Sequence, residues 1–131
     1  MDIAMEKQKI EIPPIELEWS DWVLWTDLKL DARKSGIKVP NGQPCVYEAR
    51  HQNAEERLTI RKASNLREQI KQGLVKGKLP NSAGEKIRAN EDTSTIFVRW
   101  AVTDRPAAVK EELHIKYKNK FGKLPKYVEH L

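Results

Sequence analysis

The sequence predicts a small domain of the α/β (α+β) class, a three-stranded sheet flanked by helices. Three observations lead there. Two short strand-like segments, Pro44–Arg50 and Arg57–Ala63, flank the polar stretch His51–Glu56, the pattern of two strands joined by a hairpin connection. A third run, Thr95–Thr103, alternates so that Ile96, Val98, Trp100 and Val102 share one side, the period of a strand with one packed face. Stretches with helical spacing precede, separate and follow these runs, so the helices pack on the sheet.

Residues 1–18 read as an extended N-terminal arm, because Ile12-Pro13-Pro14-Ile15 cannot continue a helix and is flanked by charge. A single domain is expected over 19–131. It opens with Trp19-Ser20-Asp21-Trp22-Val23-Leu24-Trp25. Ser20 or Thr26 is placed to cap a helix running to about Lys34, with Leu24, Leu28 and Ala32 at four-residue spacing. The three indoles either cover the core or offer a stacking platform for bases. Ser35-Gly36 and Pro40-Asn41-Gly42 mark a loop before the first strand, near 45–50, and the second follows near 57–62. A helix starts at Ser64 or Asn65, with Leu66, Ile70 and Leu74 on one face and Gly73 weakening its end. Gly77 and Pro80 break the chain, and Asn81 or Ser82 caps a short helix through about Ala89. After the third strand, Thr103 or Asp104 caps the last helix, whose first turn accepts Pro106. Val109, Leu113, Tyr117 and Phe121 form its apolar stripe. Gly122 ends it and Pro125 prevents resumption.

A chain of 131 residues suits one compact domain. No apolar run of about 18 residues is present, so no membrane span or membrane partner is expected. The start lacks a basic n-region and an apolar h-region, unlike a signal peptide. The single cysteine, Cys45, has no intramolecular partner and no zinc-like Cys/His spacing around it; it reads as a buried thiol in a cytoplasmic protein. Charge is uneven. Residues 1–60 carry eight basic and eleven acidic groups, whereas residues 61–90 carry eight basic and only two acidic ones. Such a local positive field attracts phosphate through counterion release, which makes nucleic acid, DNA in the first instance, the expected partner. Arg61, Lys62, Arg67, Lys71, Lys76, Lys78, Lys86 and Arg88 are the candidate contacts.

The paired strands Cys45-Val46-Tyr47 and Thr59-Ile60-Arg61, eleven residues between Tyr47 and Thr59, the helix entry Lys62-Ala63-Ser64-Asn65-Leu66, and the ending Leu113-His114, Tyr117, Phe121-Gly122 stand in one order. In that order and spacing, residues 44–125 resemble the GIY-YIG nuclease superfamily of the bacterial and phage type. The resemblance implies a three-stranded sheet of that family. It also implies Tyr47 as the phenol that orients or deprotonates water, and Glu111 or Glu112 as the ligand of Mg²⁺ or Mn²⁺, with His114 beside the site. The register of the glutamate stays open between an Ala107 and an Ala108 frame, and the position four residues before His114 is Lys110.

Several groups the family uses are replaced. Only the tyrosine of the first motif is present. The second tyrosine is Thr59, the motif glycine is Arg61, and the helix arginine is Gln69. A threonine hydroxyl does not titrate near neutral pH, and a glutamine lacks both the charge and the fork that grip a phosphate. Arg67 lies about 160° around the helix from Gln69. The sequence therefore reads as a nuclease-family protein that binds nucleic acid, with cleavage impaired. The alternatives are an active metal-dependent endonuclease and a protein-interaction module acting through its Trp-rich start.

Overall fold

The computed structural model describes residues 16–29, 32–79 and 82–128. Residues 1–15 of the expected arm over 1–18, the Asn81 cap and residues 129–131 lie outside them.

Among the described residues the sheet has four strands, not three. In chain order they are β1 (Val23–Leu24), β2 (Cys45–His51), β3 (Thr59–Ala63) and β4 (Ile96–Val102), and their spatial order is β1-β4-β2-β3. All pairings are antiparallel. The added strand is β1, whose Val23 and Leu24 sit opposite Val98 and Phe97. Two residues are too few to show a period, so local sequence cannot announce such a strand. Pairing to β4 makes it, and Ser20 extends that pairing: its N–H donates to the Trp100 carbonyl (2.8 Å) and its hydroxyl accepts from the Trp100 N–H (3.0 Å). The long first helix is correspondingly reduced to two single turns, α1 (Trp25–Leu28) and α2 (Ala32–Ser35).

β2 is the central strand, and its first five residues are buried on both faces. β3 and β4 flank it in registers that place Tyr47 between Arg61 and Trp100, and Glu48 between Ile60 and Arg99. Directly opposed residues leave a sheet on the same side, and successive residues leave on opposite sides. Cys45, Tyr47 and Ala49 thus face one way with Ala63, Val98 and Trp100. Val46 and Glu48 face the other.

The Tyr47 face carries the main core. Trp25, Leu28, Leu66, Ile70, Leu74 and Ile87 pack on it from α1, from α3 (Leu66–Gln69) with its continuation, and from α4 (Gly84–Asn90). Asn65 caps α3, its side chain accepting from the Glu68 N–H. The helix then widens into a π turn over Ile70–Leu74 rather than simply fraying at Gly73. Gly73 and Gly84 explain the tight turn-to-helix contact. A Cβ on Gly84 would lie 2.1 Å from the Gly73 carbonyl oxygen and 2.3 Å from that of Leu74, so only glycine admits this approach. The cap position of α4 is Ala83, in a left-handed conformation and without a side-chain cap bond, so the expected Ser82 stands one residue before it; the Ser82 hydroxyl accepts from the Gly84 N–H at 3.1 Å.

The Val46 face is covered by α5 (Pro106–Phe121) and by the segment before β1. Val46, Ala101 and Val109 form a second small core, with Leu113, Leu17 and Trp19 against it. Leu17 is thus packed on the sheet. α5 opens with Pro106 in its first turn and ends at Gly122, whose φ of +73° suits the left-handed cap position. The outer edge of β3 is partly closed by the C-terminal segment, where the Tyr127 N–H donates to the Leu58 carbonyl (2.8 Å).

Candidate functional sites on two faces of the sheet

Four positions that differ between this chain and the GIY-YIG pattern, or agree with it, meet on the Tyr47 face. Tyr47 and Arg61 are cross-strand partners, and Thr59 is two residues from Arg61 on the same side. The Arg61 Nε donates to the Thr59 hydroxyl (3.2 Å), and another of its guanidinium nitrogens donates to the Tyr127 carbonyl (2.8 Å). The Arg61 cation is thereby turned toward the protein's own backbone. Tyr47 itself is fully buried. Burial pushes its phenol up to about 12, although the neighbouring Gln69 side chain and the Arg61 charge favour the ionised form. Neither the Tyr47 hydroxyl nor the Gln69 Nε2 closes a hydrogen bond of normal geometry. A neutral, covered phenol does not deprotonate water, and without exposure it does not touch a phosphodiester in this conformation.

The carboxylates named for a metal are placed differently. Glu111 and Glu112 are exposed on α5, and Glu112 pairs with Lys116 one turn on (3.1 Å). α5 packs through Val109, Leu113, His114 and Tyr117, and its second-core contacts lie on the Val46 face, opposite that of Tyr47. Among the described residues no group of three His, Cys, Asp or Glu side chains stands together. A Mg²⁺ or Mn²⁺ ion held there would draw on Glu111 or Glu112 together with a bound phosphate.

His114 is buried, and its Nε2–H donates to the Ile60 carbonyl at 2.7 Å. Burial lowers its pKa against that hydrogen bond, and the Lys110 and Arg61 charges lower it further. A neutral imidazole that pins α5 to β3 describes its place. Cys45 is buried as expected, its thiol pushed up to about 11 by burial.

The basic candidates divide into two groups. Lys62, Lys71, Lys76, Lys78 and Lys86 are exposed. Arg67 donates to the Val39 carbonyl (3.1 Å), and with Lys71 it lines a pocket of about 90 Å³ beside Asp27 and Ile37. Arg88 donates to the carbonyls of Gly84 (3.1 Å) and Gly77, so it clamps the turn before α4.

The Val46 face holds a cluster that the motifs do not include. Glu48 is 3% exposed in the middle of β2. Its Oε1 lies 2.6 Å from the Arg99 Nε and 3.0 Å from the Arg57 Nε. The first contact is a hydrogen bond. The second is an ion pair without hydrogen-bond alignment, since Arg57 Nε is buried and lacks a bonded partner. Arg50, two residues on from Glu48 on the same face, stacks over the Trp22 ring at 4.2 Å. Arg99 stacks over Trp19 (4.2 Å) and Trp22 (4.5 Å), and Arg57 lies 5.1 Å from the Trp22 centroid. Of the three indoles read from the sequence, Trp25 is core, whereas Trp19 and Trp22 are platforms for guanidinium groups.

A second polar network ties the sheet to the C-terminal segment. Glu91 accepts from His51 Nε2 (2.8 Å), Lys126 Nζ (2.6 Å) and the Tyr127 hydroxyl (2.6 Å). Burial would raise the Glu91 carboxyl, but these bonds and the Lys126 charge hold it down at about 2.

Comparison of the chain with family models, curated proteins and solved structures finds no match. Among the described residues no helix is long and apolar enough to cross a membrane.

Proposed function

We propose that this chain is a cytoplasmic nucleic-acid-binding domain of the GIY-YIG type, with DNA as its partner, in which phosphodiester cleavage has lapsed. The convergence of Tyr47, Thr59, Arg61 and Gln69 on one face of the sheet carries this reading. The β2–β3 register brings Tyr47, Thr59 and Arg61 to that face, and the family pattern places its motif positions there in the same order. The replacements then act together. Arg61 stands where the motif has glycine and turns to Thr59 and the Tyr127 carbonyl. Gln69 offers no charge, and Tyr47 is sealed beneath them. Removing one charged transition-state contact typically costs orders of magnitude in rate, and here two contacts and the access are altered.

Binding rests on the exposed Lys62, Lys71, Lys76, Lys78 and Lys86. A backbone-tracking surface of this kind gives affinity that falls steeply with salt and varies little with sequence.

The test sets the unmodified protein beside the triple variant Thr59→Tyr/Arg61→Gly/Gln69→Arg, with plasmid and single-stranded DNA and Mg²⁺ or Mn²⁺. The expected result is salt-sensitive binding by both proteins and no cleavage by the unmodified one. Cleavage by the unmodified protein that disappears in Tyr47→Phe or Glu111→Gln/Glu112→Gln would overturn the lapse of chemistry. Absence of binding at low salt would overturn the partner.

A further inference from the structure

The cluster on the Val46 face has more positive charge than its own carboxylate neutralises. Arg50, Arg57 and Arg99 come from β2, from the hairpin and from β4, yet they gather around the single carboxylate of Glu48. In the hairpin beside Arg57, Glu56 pairs with Lys123 (3.4 Å), and the Glu55 backbone carbonyl accepts from Arg57 (2.7 Å). Two of the guanidiniums carry a buried Nε–H with no hydrogen-bond partner, at Arg50 and Arg57. Burial lowers the Arg50 pKa, and the Arg57 and Arg99 charges add to that against the pull of Glu48. Like charges held this close are favoured by an anion that shares them.

The geometry also fixes how such an anion is met. A guanidinium stacked flat on an indole presents its N–H edge sideways, already oriented, so little rotamer freedom is lost when a phosphate arrives. The Arg50 and Arg99 guanidinium carbons each lie 4.2 Å from an indole centroid, and both residues are partly exposed. The indoles are fixed in turn, Trp19 by the second small core and by β1's pairing through Ser20.

We infer that the Arg50–Arg57–Arg99 cluster, braced by Trp19 and Trp22, is a phosphate seat for the backbone of single-stranded nucleic acid, on the sheet face opposite Tyr47. This inference rests on the nucleic-acid reading above and names its principal contact. The charge complementarity is to a phosphodiester, whose two free oxygens accept from two guanidinium edges at once. The exposed lysines of residues 71–86 belong to the elements that cover the Tyr47 face, so they add long-range attraction while the arginine cluster seats the strand.

Arg50 is the residue to change, because it lies over Trp22 and donates to the Ala54 carbonyl (3.3 Å) without bonding to Glu48, so its loss leaves the Glu48 pairs in place. The full chain is titrated into a fluorescein-labelled oligo-dT of about 16 nucleotides, read by anisotropy across about 50 to 200 mM salt. Arg50→Gln is compared with Arg50→Lys and with Lys71→Gln/Lys76→Gln/Lys78→Gln, and each variant's melting curve is recorded. The expected result is that Arg50→Gln weakens binding about tenfold and removes about one from the salt slope. Arg50→Lys is expected to restore the slope but only part of the affinity. If Arg50→Gln binds like the unmodified chain while the lysine variant fails, the seat is wrong and the nucleic-acid reading stands. If the unmodified chain binds no oligonucleotide at low salt, both fall together. A poly-glutamate peptide that displaces the oligonucleotide at equal charge concentration would also overturn the assignment, since the site would then read charge without phosphate. Should Arg50→Gln melt early, quenching of Trp fluorescence by oligo-dT in the unmodified chain, lost in Trp22→Phe, decides the same question.

Discussion

On the Tyr47 face of the sheet a phenol and an amide are buried beside each other without closing a hydrogen bond, whereas on the Val46 face Glu48, buried as deeply, lies against two guanidiniums. The two faces share strands and even adjacent residues. They differ in how the polar groups are compensated. Near Tyr47 an arginine has turned away to backbone carbonyl and threonine, and the phenol stays neutral. Near Glu48 every group is charged, and two indoles hold the cations in place. A cleavage site needs a titratable group open to solvent; an anion-binding site needs oriented, desolvated cations. The second description fits the Val46 face and the first does not fit the Tyr47 face.

The largest expected break in this contrast is Glu48→Gln. Removing one partner of a buried ion pair leaves uncompensated charge and costs about 3–5 kcal/mol. Arg57 and Arg99 are partly exposed, so a loss near about 3 kcal/mol is expected in urea unfolding. A loss below about 1 kcal/mol would show that the cluster behaves as an ordinary wet surface pair, and the contrast would disappear.

Next in size is the acid limb of stability, set by Glu91 at the sheet's hairpin end. Its carboxyl is depressed in the folded protein, from 4.5 to about 2. The unfolded chain therefore takes up the proton first as pH falls. The stabilisation is complete above about pH 4.5 and is lost progressively down to about pH 2. Its size is about 2 kcal/mol after allowing for the exposed Lys126 partner. Glu91→Gln should flatten that limb in a pH series of thermal melts, and an unchanged limb would place the acid sensitivity elsewhere, with Glu48 the first alternative.

A smaller effect is expected at Trp22. Trp22→Leu keeps apolar cover but removes the ring beneath three guanidiniums, which is worth about 1–2 kcal/mol. The loss should shrink in the Arg50→Gln background, because part of the interaction is then already gone. Equal losses in both backgrounds would mean that Trp22 contributes packing alone.

The strands that were legible in the sequence are those with a local signal. β4 alternates, β2 opens on the apolar Cys45-Val46-Tyr47, β3 follows a polar hairpin stretch, and α5 announces itself by Pro106 and Gly122. β1 was not legible, since two residues carry no period and its pairing is made by β4. The turn at Gly73 carries a similar lesson: its conformation follows from how closely Gly84 approaches, a tertiary contact. The basic stretch 61–90 was visible because its charges are contiguous. The arginine cluster was not, because Arg50, Arg57 and Arg99 are spread over 50 positions of chain and only strand register gathers them. One local signal did exist. Glu48 and Arg50 alternate with Tyr47 and Ala49 in a strand that is otherwise apolar, and charges at alternate positions of a central strand must find partners across it. The four positions around Tyr47 were readable as a set only through the family pattern, while the closure over Tyr47 depends on where Arg61 turns.

The smallest expected effect is the most discriminating for the Tyr47 face. Tyr47→Phe removes a hydroxyl that is buried and has no bonded partner, so the change is expected to be neutral or to stabilise by up to about 1 kcal/mol. A second consequence follows from the raised pKa. The folded protein holds the Tyr47 proton up to about 12 while an ordinary tyrosine releases it near 10. Between those values the unfolded chain binds fewer protons, so stability falls as pH rises from about 10. The Phe variant lacks that contribution and should fall less steeply, while the raised phenol of Tyr127 keeps its own share. Urea unfolding at neutral pH and again above pH 10 separates the two effects. A loss of about 1 kcal/mol or more at neutral pH would mean that the Tyr47 hydroxyl is bonded in solution, to Gln69 or to an ordered water. The phenol would then be held in a defined orientation, and the Tyr47 face would return as the place to look for chemistry.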